Sequence, residues 1–215
     1  PFADLKGIQP GREIITQDKT LLEELMRIGD QAIKQYHEGI KPEVYEWQNH
    51  HETYQNLETV TLPEYSAAEL QALVMSYANT QETKEKQIVR GLYTGVLASG
   101  LGGEGISLHL QGAGNSFPYL LYFAQNLNDM MVEDFKGDCI LSHAADYGEG
   151  RNIVLSQIEG DYAGRGIAYH GRAENIVLSN IQGDRVGSGI ADNGRAESVV
   201  LSNIKGDWTG GWIAI

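Results

Sequence analysis

The spacing of apolar residues divides this chain into two halves near residue 100. Before that point, apolar residues recur every three or four positions, as on one face of an amphipathic α-helix. After it, they alternate with polar residues over short stretches that end in glycine, as in β-strands. We therefore predict a helical cap domain over residues 1–100 and a β-rich domain over residues 101–215.

Three or four helices are predicted in the first half. The clearest apolar pattern runs from Leu21 to Tyr36, and Thr16 or Asp18 can cap this helix at its start. A weaker pattern covers residues 43–57, where apolar residues lie roughly on one face. Both patterns are typical of helices that bury one side against a neighbour.

The last two predicted helices lead to the boundary between the halves. Ser66 and Glu69 have the spacing of a capping box, which marks a helix start. Thr80 can cap the helix that follows. The glycine-rich residues 97–105 then predict a junction, because glycine disfavours the interior of a helix.

A repeat of 23 residues dominates the second half. Residues 152–174 and 175–197 are identical at 16 of 23 positions, and residues 198–215 begin a third copy. A degenerate copy around Met130 and Phe135 precedes them. A fixed period of this length indicates stacked units, and two or three short strands with tight turns leave no room for a helix in each copy. We predict a parallel β-solenoid of about four coils.

Each coil is predicted to have a buried face and an outward face. The inward columns are formed by Ile153, Leu155, Ile158, Ile176, Leu178, Ile181, Val199, Leu201 and Ile204. A second short extended segment in each coil is marked by Ile167, Ile190 and Ile213. The outward columns are Met131, Val154, Val177 and Val200, and Glu133, Ser156, Ser179 and Ser202. We interpret this outward face as a packing surface that the helices or a partner cover.

The repeat motif carries a resemblance to a known group. The pattern Asn-Ile-Val-Leu-Ser-Asn-Ile-x-Gly-Asp, followed by Gly-Ile-Ala and a Gly-Arg turn, resembles the right-handed parallel β-helix repeat of pectate-lyase-like proteins, including NosD-type carbohydrate-binding and sugar-hydrolase modules. It covers residues 129–215 and implies a short right-handed β-helix, which makes the whole chain α+β by composition. It also implies polysaccharide lyase, hydrolase or scaffold functions, although the chain has fewer coils and shorter loops than the enzymes of this group.

Four aspartates, each preceded by glycine, form one predicted column. They are Asp138, Asp161, Asp184 and Asp207. Four carboxylates at one-coil spacing repel each other unless cations or turn N–H groups offset their charge. We interpret them as turn residues, with Ca²⁺ binding as the minor alternative, because the nine-residue Ca²⁺ solenoid signature is absent. No other cofactor or metal is predicted.

The columns that vary between copies contain the candidate catalytic residues. Asp146 and Asp192 share one column and lie two coils apart, which predicts a separation of about 9–10 Å, as in an inverting carboxylate pair. His170 lies on the coil between them, and Arg165 could hold an acidic sugar. The candidate residues for stacking on sugar rings or binding substrate are Tyr147, Tyr162, Tyr169 and Trp208. The alternative is that these are ordinary polar turn residues.

Two adjacent histidines in the helical half are a weaker candidate. His50 and His51 precede Glu52 but lack the i, i+4 pairing of a zinc-binding HExxH helix. We interpret them as part of a solvated helix face.

Composition argues against some classes of binding partner. The net charge of −13, with no basic patch, argues against nucleic acid as a partner. No stretch is apolar enough for a membrane span or a signal peptide, and Cys139 is the only cysteine. These features favour the cytoplasm, although the compartment is left unknown.

The sequence therefore favours a structural or binding protein, with a polysaccharide-active enzyme as the alternative. No polar capping segment follows Trp212 to Ile215, and a solenoid end exposes strand edges and core side chains. We expect the C-terminal coil to be covered by another chain, through a protein partner or self-association, or by further coils. Carbohydrate is a further candidate partner.

Overall fold

The helices come first in the chain, as predicted. A computed structural model describes residues 19–39 and 46–213, so the predicted caps Thr16 and Asp18 lie outside the described residues. The described residues form four helices: α1 (Lys19–Gly39), α2 (Glu46–Glu58), α3 (Ala67–Tyr77) and α4 (Lys84–Gly103). The capping box of α3 is confirmed, because Glu69 accepts from Ser66 and the Ser66 hydroxyl accepts from the Ala68 N–H.

The second half is a parallel β-solenoid of about four turns. Its strands are β1 (Leu108–Ser116), β2 (Leu127–Lys136), β3 (Glu149–Glu159), β4 (Arg172–Gln182) and β5 (Arg195–Lys205). They form one parallel sheet in chain order. Leu155 pairs with Leu178, which pairs with Leu201, so the 23-residue coil is confirmed.

The inward and outward faces of the strands follow the predicted phase. Leu155 and Leu178 are fully buried in the core, whereas Val177 and Val200 are partly exposed and lie outside it. Helices α3 and α4 pack against β1 and β2. The outward face of β4 and β5 therefore stays partly open.

The rest of each coil is a run of turns. We call residues 117–126, 137–148, 160–171, 183–194 and 206–213 the turn runs. The predicted second extended segments at Ile167, Ile190 and Ile213 are wrong in conformation, because these residues lie in turn runs.

Alternating backbone conformation explains how the turn runs replace a second strand. Every second residue has positive φ, as at Leu141 (54°) and His143 (56°). Successive N–H groups of this kind point to opposite neighbours: Leu141 donates to Leu120 O in the preceding coil at 2.8 Å, and His143 donates to Arg165 O in the following coil at 2.7 Å. The turn runs therefore join the coils through a hydrogen-bond ladder without forming a strand.

Helix α4 extends through the segment that we predicted to be a junction. Its glycines allow a close approach to the first turn run, since a Cβ at Gly91 would lie 2.1 Å from Tyr119 O and one at Gly102 would lie 2.0 Å from Asn126 O. The packing that glycine permits here outweighs its poor helix propensity. The junction at residues 97–105 is therefore wrong, and α4 continues to Gly103.

Side chains of the helices close the N-terminal end of the solenoid. The Leu121 N–H donates to Thr94 Oγ1 at 3.4 Å, and the Gln125 N–H donates to Ser99 Oγ at 2.7 Å. In the next coil, Leu141 donates from the matching position to the preceding coil. Buried hydroxyl groups of α4 thus take the place of a missing coil.

The C-terminal end has no comparable cover among the described residues. Trp208 and Trp212 are each 82% exposed, and Leu201 and Ile204 are only partly buried. The backbone N–H of Trp208, whose equivalent at Arg185 donates to the next coil, has no acceptor among the residues that the structure describes. The two ends of the solenoid therefore differ.

Candidate functional site

A buried carboxylate lies between two imidazoles on adjacent turn runs. The Asp146 side chain is 5% exposed, and its Oδ1 accepts from the backbone N–H and from Nδ1 of His170, both at 3.0 Å. Its Oδ2 accepts from His143 Nδ1 at 3.2 Å. We call these three residues the His–Asp–His cluster.

The hydrogen bonds of the cluster engage Nδ1 of each imidazole, so Nε2 is the ring nitrogen that does not contact the carboxylate. A carboxylate oxygen accepts hydrogen bonds, so these contacts fit imidazoles that donate from Nδ1. In the neutral tautomer of this kind, Nε2 is an acceptor. The His143 and His170 side chains are 22% and 37% exposed. This is the arrangement of a base whose ring is oriented by a carboxylate.

Aromatic stacking fixes the two imidazole planes. The His143 ring stacks on Phe123 at 4.9 Å and 9°, and the His170 ring stacks on Tyr147 at 4.9 Å and 18°. Gly166 makes room for His143, because a Cβ there would lie 3.0 Å from its Nδ1. Partial burial is the larger cause that raises the pKa of Tyr147, and the negative charge of the Asp146 carboxylate is the second.

Helix α2 covers one side of these rings. The His51 ring lies 4.8 Å from the Tyr147 ring and 5.9 Å from the Phe123 ring. His50 is 4% exposed, and its Nδ1 lies 3.3 Å from the Tyr122 hydroxyl. The predicted solvated face at His50 and His51 is therefore wrong, because α2 packs this face against the first turn runs.

The structure brings together some of the predicted site residues. Asp146 and His170 are hydrogen-bonded, and the rings of Tyr147 and Tyr169 both contact the His170 ring. The remaining predicted residues lie outside these contacts: Asp192 is exposed, Arg165 lies over the ring of Tyr162, and Trp208 is on the last coil. The carboxylate pair of Asp146 and Asp192 stays a prediction.

Three cavities formed by the described residues lie away from the cluster. One lies between α1 and α2, one along α1, and one beside the C-terminal end of α4. None of the three is lined by Asp146, Asp192, His170 or Arg165.

The aspartate column forms a backbone-linked ladder. Asp138 Oδ1 accepts from the Asp161 N–H at 2.9 Å, Asp161 from the Asp184 N–H at 2.8 Å, and Asp184 from the Asp207 N–H at 2.8 Å. Turn N–H groups thus offset the carboxylate charges, which supports the turn interpretation. Within the described ranges, no group of three or more His, Cys, Asp or Glu side chains is arranged so that it could hold a metal ion.

The sequence did not indicate His143 as a member of the His–Asp–His cluster, nor Phe123 and His51 as aromatic neighbours around it. The signal for His143 lies in the turn run, where the core pairs Ile140–Leu141 and Ala144–Ala145 alternate with pairs that contain polar residues. That four-residue period separates His143 from the core and places it beside Asp146. His51 required knowledge of tertiary packing, since neither its spacing nor its neighbours indicate contact with a solenoid.

No protein-family model, curated protein or solved structure matches the chain. What the structure shares with the predicted group is the parallel β-solenoid itself. Among the described helices, none has the length and apolar character that crossing a membrane requires.

Proposed function

We propose that this chain is a structural or binding protein that engages a partner, most simply a second copy, through its C-terminal coil. The observation that carries the proposal is the pair of indole side chains, Trp208 and Trp212, each 82% exposed beside partly buried core residues. Exposed apolar surface of this kind typically marks an interaction site.

The strand edge and the tryptophans of the C-terminal coil both favour association with a second copy. An unpaired strand edge is a template for pairing, and β5 has no neighbouring strand on its outer side among the described residues. Two copies related by a twofold axis could pair β5 with β5 in antiparallel orientation and bury both tryptophans. Tryptophan is among the residues that contribute most to interface energies.

Sedimentation equilibrium at tens of micromolar tests the proposal on the 215-residue chain. We expect a dimer, and the double variant Trp208→Ser/Trp212→Ser should be a monomer because the exposed indoles contribute to the interface and not to the core. The control is Val177→Ser, which changes the partly exposed side face and should leave the dimer intact. Further 23-residue coils in a longer chain would bury the same surface, so the experiment uses the chain of 215 residues.

A monomeric wild-type chain would overturn this proposal. So would a dimer that survives the loss of both tryptophans, because association would then use another surface.

A second candidate is a polysaccharide-active enzyme of the pectate-lyase-like group. One observation favours it: the carboxylate of Asp146 orients His170, which leaves Nε2 available as a proton acceptor. The test is turnover of acidic and neutral polysaccharides by the wild-type chain and by His170→Gln. Turnover that His170→Gln leaves unchanged would remove the His–Asp–His cluster from this reaction.

A further inference from the structure

Two arginines hold their guanidinium groups over the ring of one tyrosine. The guanidinium carbon of Arg165 lies 5.4 Å from the centre of the Tyr162 ring, and that of Arg185 lies 5.5 Å from it. Both distances fall within the range of about 6 Å over which a cation is attracted to an aromatic face. The two guanidinium groups therefore share one aromatic ring as a neighbour.

The register of the solenoid produces this arrangement. Arg185 occupies the position of Tyr162 in the next coil, and the Tyr162 N–H donates to Asp184 O at 2.8 Å. The Arg165 N–H closes a turn on Tyr162 O at 3.1 Å. Ser188 is the equivalent of Arg165 in the next coil, where it closes the same turn on Arg185 O. We call Tyr162, Arg165, Arg185 and Ser188 the arginine patch.

Neither arginine of the patch has a carboxylate within ion-pair distance among the described residues. Four other arginines do, with distances of 3.8 Å or less: Arg27, Arg90, Arg151 and Arg172. The acidic neighbours in the chain, Asp161 and Asp184, instead accept backbone N–H groups in the aspartate ladder. Two arginines that have no ion-pair partner among the described residues thus lie over one ring in a chain of net charge −13.

We propose that the arginine patch binds an oxyanion group of a ligand, a carboxylate, a sulfate or a phosphate. A guanidinium group offers a planar fork of N–H donors that matches an oxyanion. The neighbouring carboxylates and the net charge repel a polyanion, so the site suits a single anionic group. The patch lies on the side of the solenoid, so this inference does not depend on association through the C-terminal coil.

The test is an NMR titration of the arginine Nε–H signals of the intact chain. Acetate, sulfate or phosphate replaces chloride at constant ionic strength, so that screening stays fixed. We expect saturable shifts of the Arg165 and Arg185 signals, and either Arg165→Gln or Arg185→Gln should weaken the apparent affinity at least about tenfold, because one fork is lost. Saturation by acetate would indicate a carboxylate ligand, and saturation by sulfate or phosphate an ester.

The matched control is Arg195→Gln. Arg195 is also exposed and has no ion-pair partner among the described residues, but it does not lie over an aromatic ring. Its loss should leave the titration unchanged. Absence of saturation with all three anions, or equal weakening by Arg195→Gln, would overturn the proposal, and circular dichroism confirms that each variant is folded.

Discussion

Asp146 accepts two imidazole N–H groups and one backbone N–H while its side chain is 5% exposed. The carboxylate thereby joins two adjacent turn runs, since His143 precedes it in one and His170 belongs to the next. A buried acceptor with several donors contributes to stability, because its loss leaves those donors without a partner. Asp146 is therefore part of the fold, whatever chemistry the cluster performs.

Replacing Asp146 by Asn should destabilise the protein. The amide keeps one acceptor oxygen but turns an NH₂ group toward a donor, so we expect a loss of about 1–3 kcal/mol in the free energy of unfolding. Urea denaturation measures this loss. Asp192→Asn is the control and should change stability by less than about 0.5 kcal/mol, because Asp192 is exposed. Equal effects of the two substitutions would contradict the structural role of Asp146.

Leu178 and Val177 provide a matched pair for the core. Leu178→Asp places a charge without a partner between Leu155 and Leu201 and should cost at least about 4 kcal/mol, enough to unfold the solenoid. Val177→Asp should be tolerated, because Val177 points outward and is partly exposed. Thermal melts followed by circular dichroism distinguish them. Similar melting temperatures for both variants would mean that the faces are assigned incorrectly.

At the residue level, the sequence indicated Asp146 and His170 but not what surrounds them. Columns that differ between copies stand out in a repeat, and this is how both residues were found. Their environment depends on stacking between coils and on the packing of α2. The 23-residue spacing predicts the stacking between coils only in outline. It does not predict the packing of α2, so nothing in the sequence indicates that His51 contacts the solenoid.

At the scale of elements, α4 serves as the cap of the solenoid. Its glycines let the helix approach the backbone of the first turn run, while Thr94 and Ser99 accept the N–H groups that a preceding coil would otherwise receive. Ser99 also bonds to the Tyr54 hydroxyl at 2.8 Å, which links the cap to α2. The cap thus combines close packing with hydrogen bonding at the solenoid edge.

Two glycines of α4 test this close packing. Gly91→Ala should cost about 1–3 kcal/mol or more, because its Cβ would lie 2.1 Å from the Tyr119 carbonyl oxygen and the helix must shift. Gly103→Ala meets no atom within 4 Å and should be neutral or stabilising by up to about 1 kcal/mol. The urea concentration at the midpoint of unfolding measures the stability change of each variant. A neutral Gly91→Ala would show that α4 does not rest on this turn run.

The elements were predictable to the extent that local pattern controls them. The alternation of Ile176 and Leu178 fixed the strand phase, and Ser66 with Glu69 fixed the start of α3. Local propensity failed at residues 97–105, where tertiary contact with the turn run favours a glycine-rich helix. It also failed at Ile167, because alternating positive φ creates a buried turn run that resembles a strand in its apolar content.

For the whole molecule, buried tyrosines make stability depend on alkaline pH. Burial is the main cause that raises the pKa values of Tyr54, Tyr77 and Tyr93, and it raises that of Tyr65 to about 12. Above pH of about 10, the unfolded chain releases these protons while the folded chain retains them. The free energy of unfolding should therefore fall as pH rises past that value.

Urea denaturation across this pH range measures the effect, and absorbance at alkaline pH follows tyrosine ionisation. We expect some of the 11 tyrosines to ionise only when the protein unfolds. Simultaneous ionisation of all tyrosines in the folded chain, with no change in stability, would contradict the burial described here.

The asymmetry between the two ends of the solenoid is the basis of the proposed function. Helices and hydroxyl groups close the first end, whereas the last coil of the described residues presents two exposed indoles and a strand with no partner on one side. Uncovered strand edges and core side chains favour association. The C-terminal coil is therefore where we expect a partner to bind.

Hydrogen exchange as a function of protein concentration tests this claim most directly. We expect amides of β5 and residues 206–213 to gain protection as concentration rises, while amides of β3, which is already paired on both sides, do not change. Protection that stays low in the last coil at every concentration up to tens of micromolar, in a chain that remains monomeric, would contradict association through this coil.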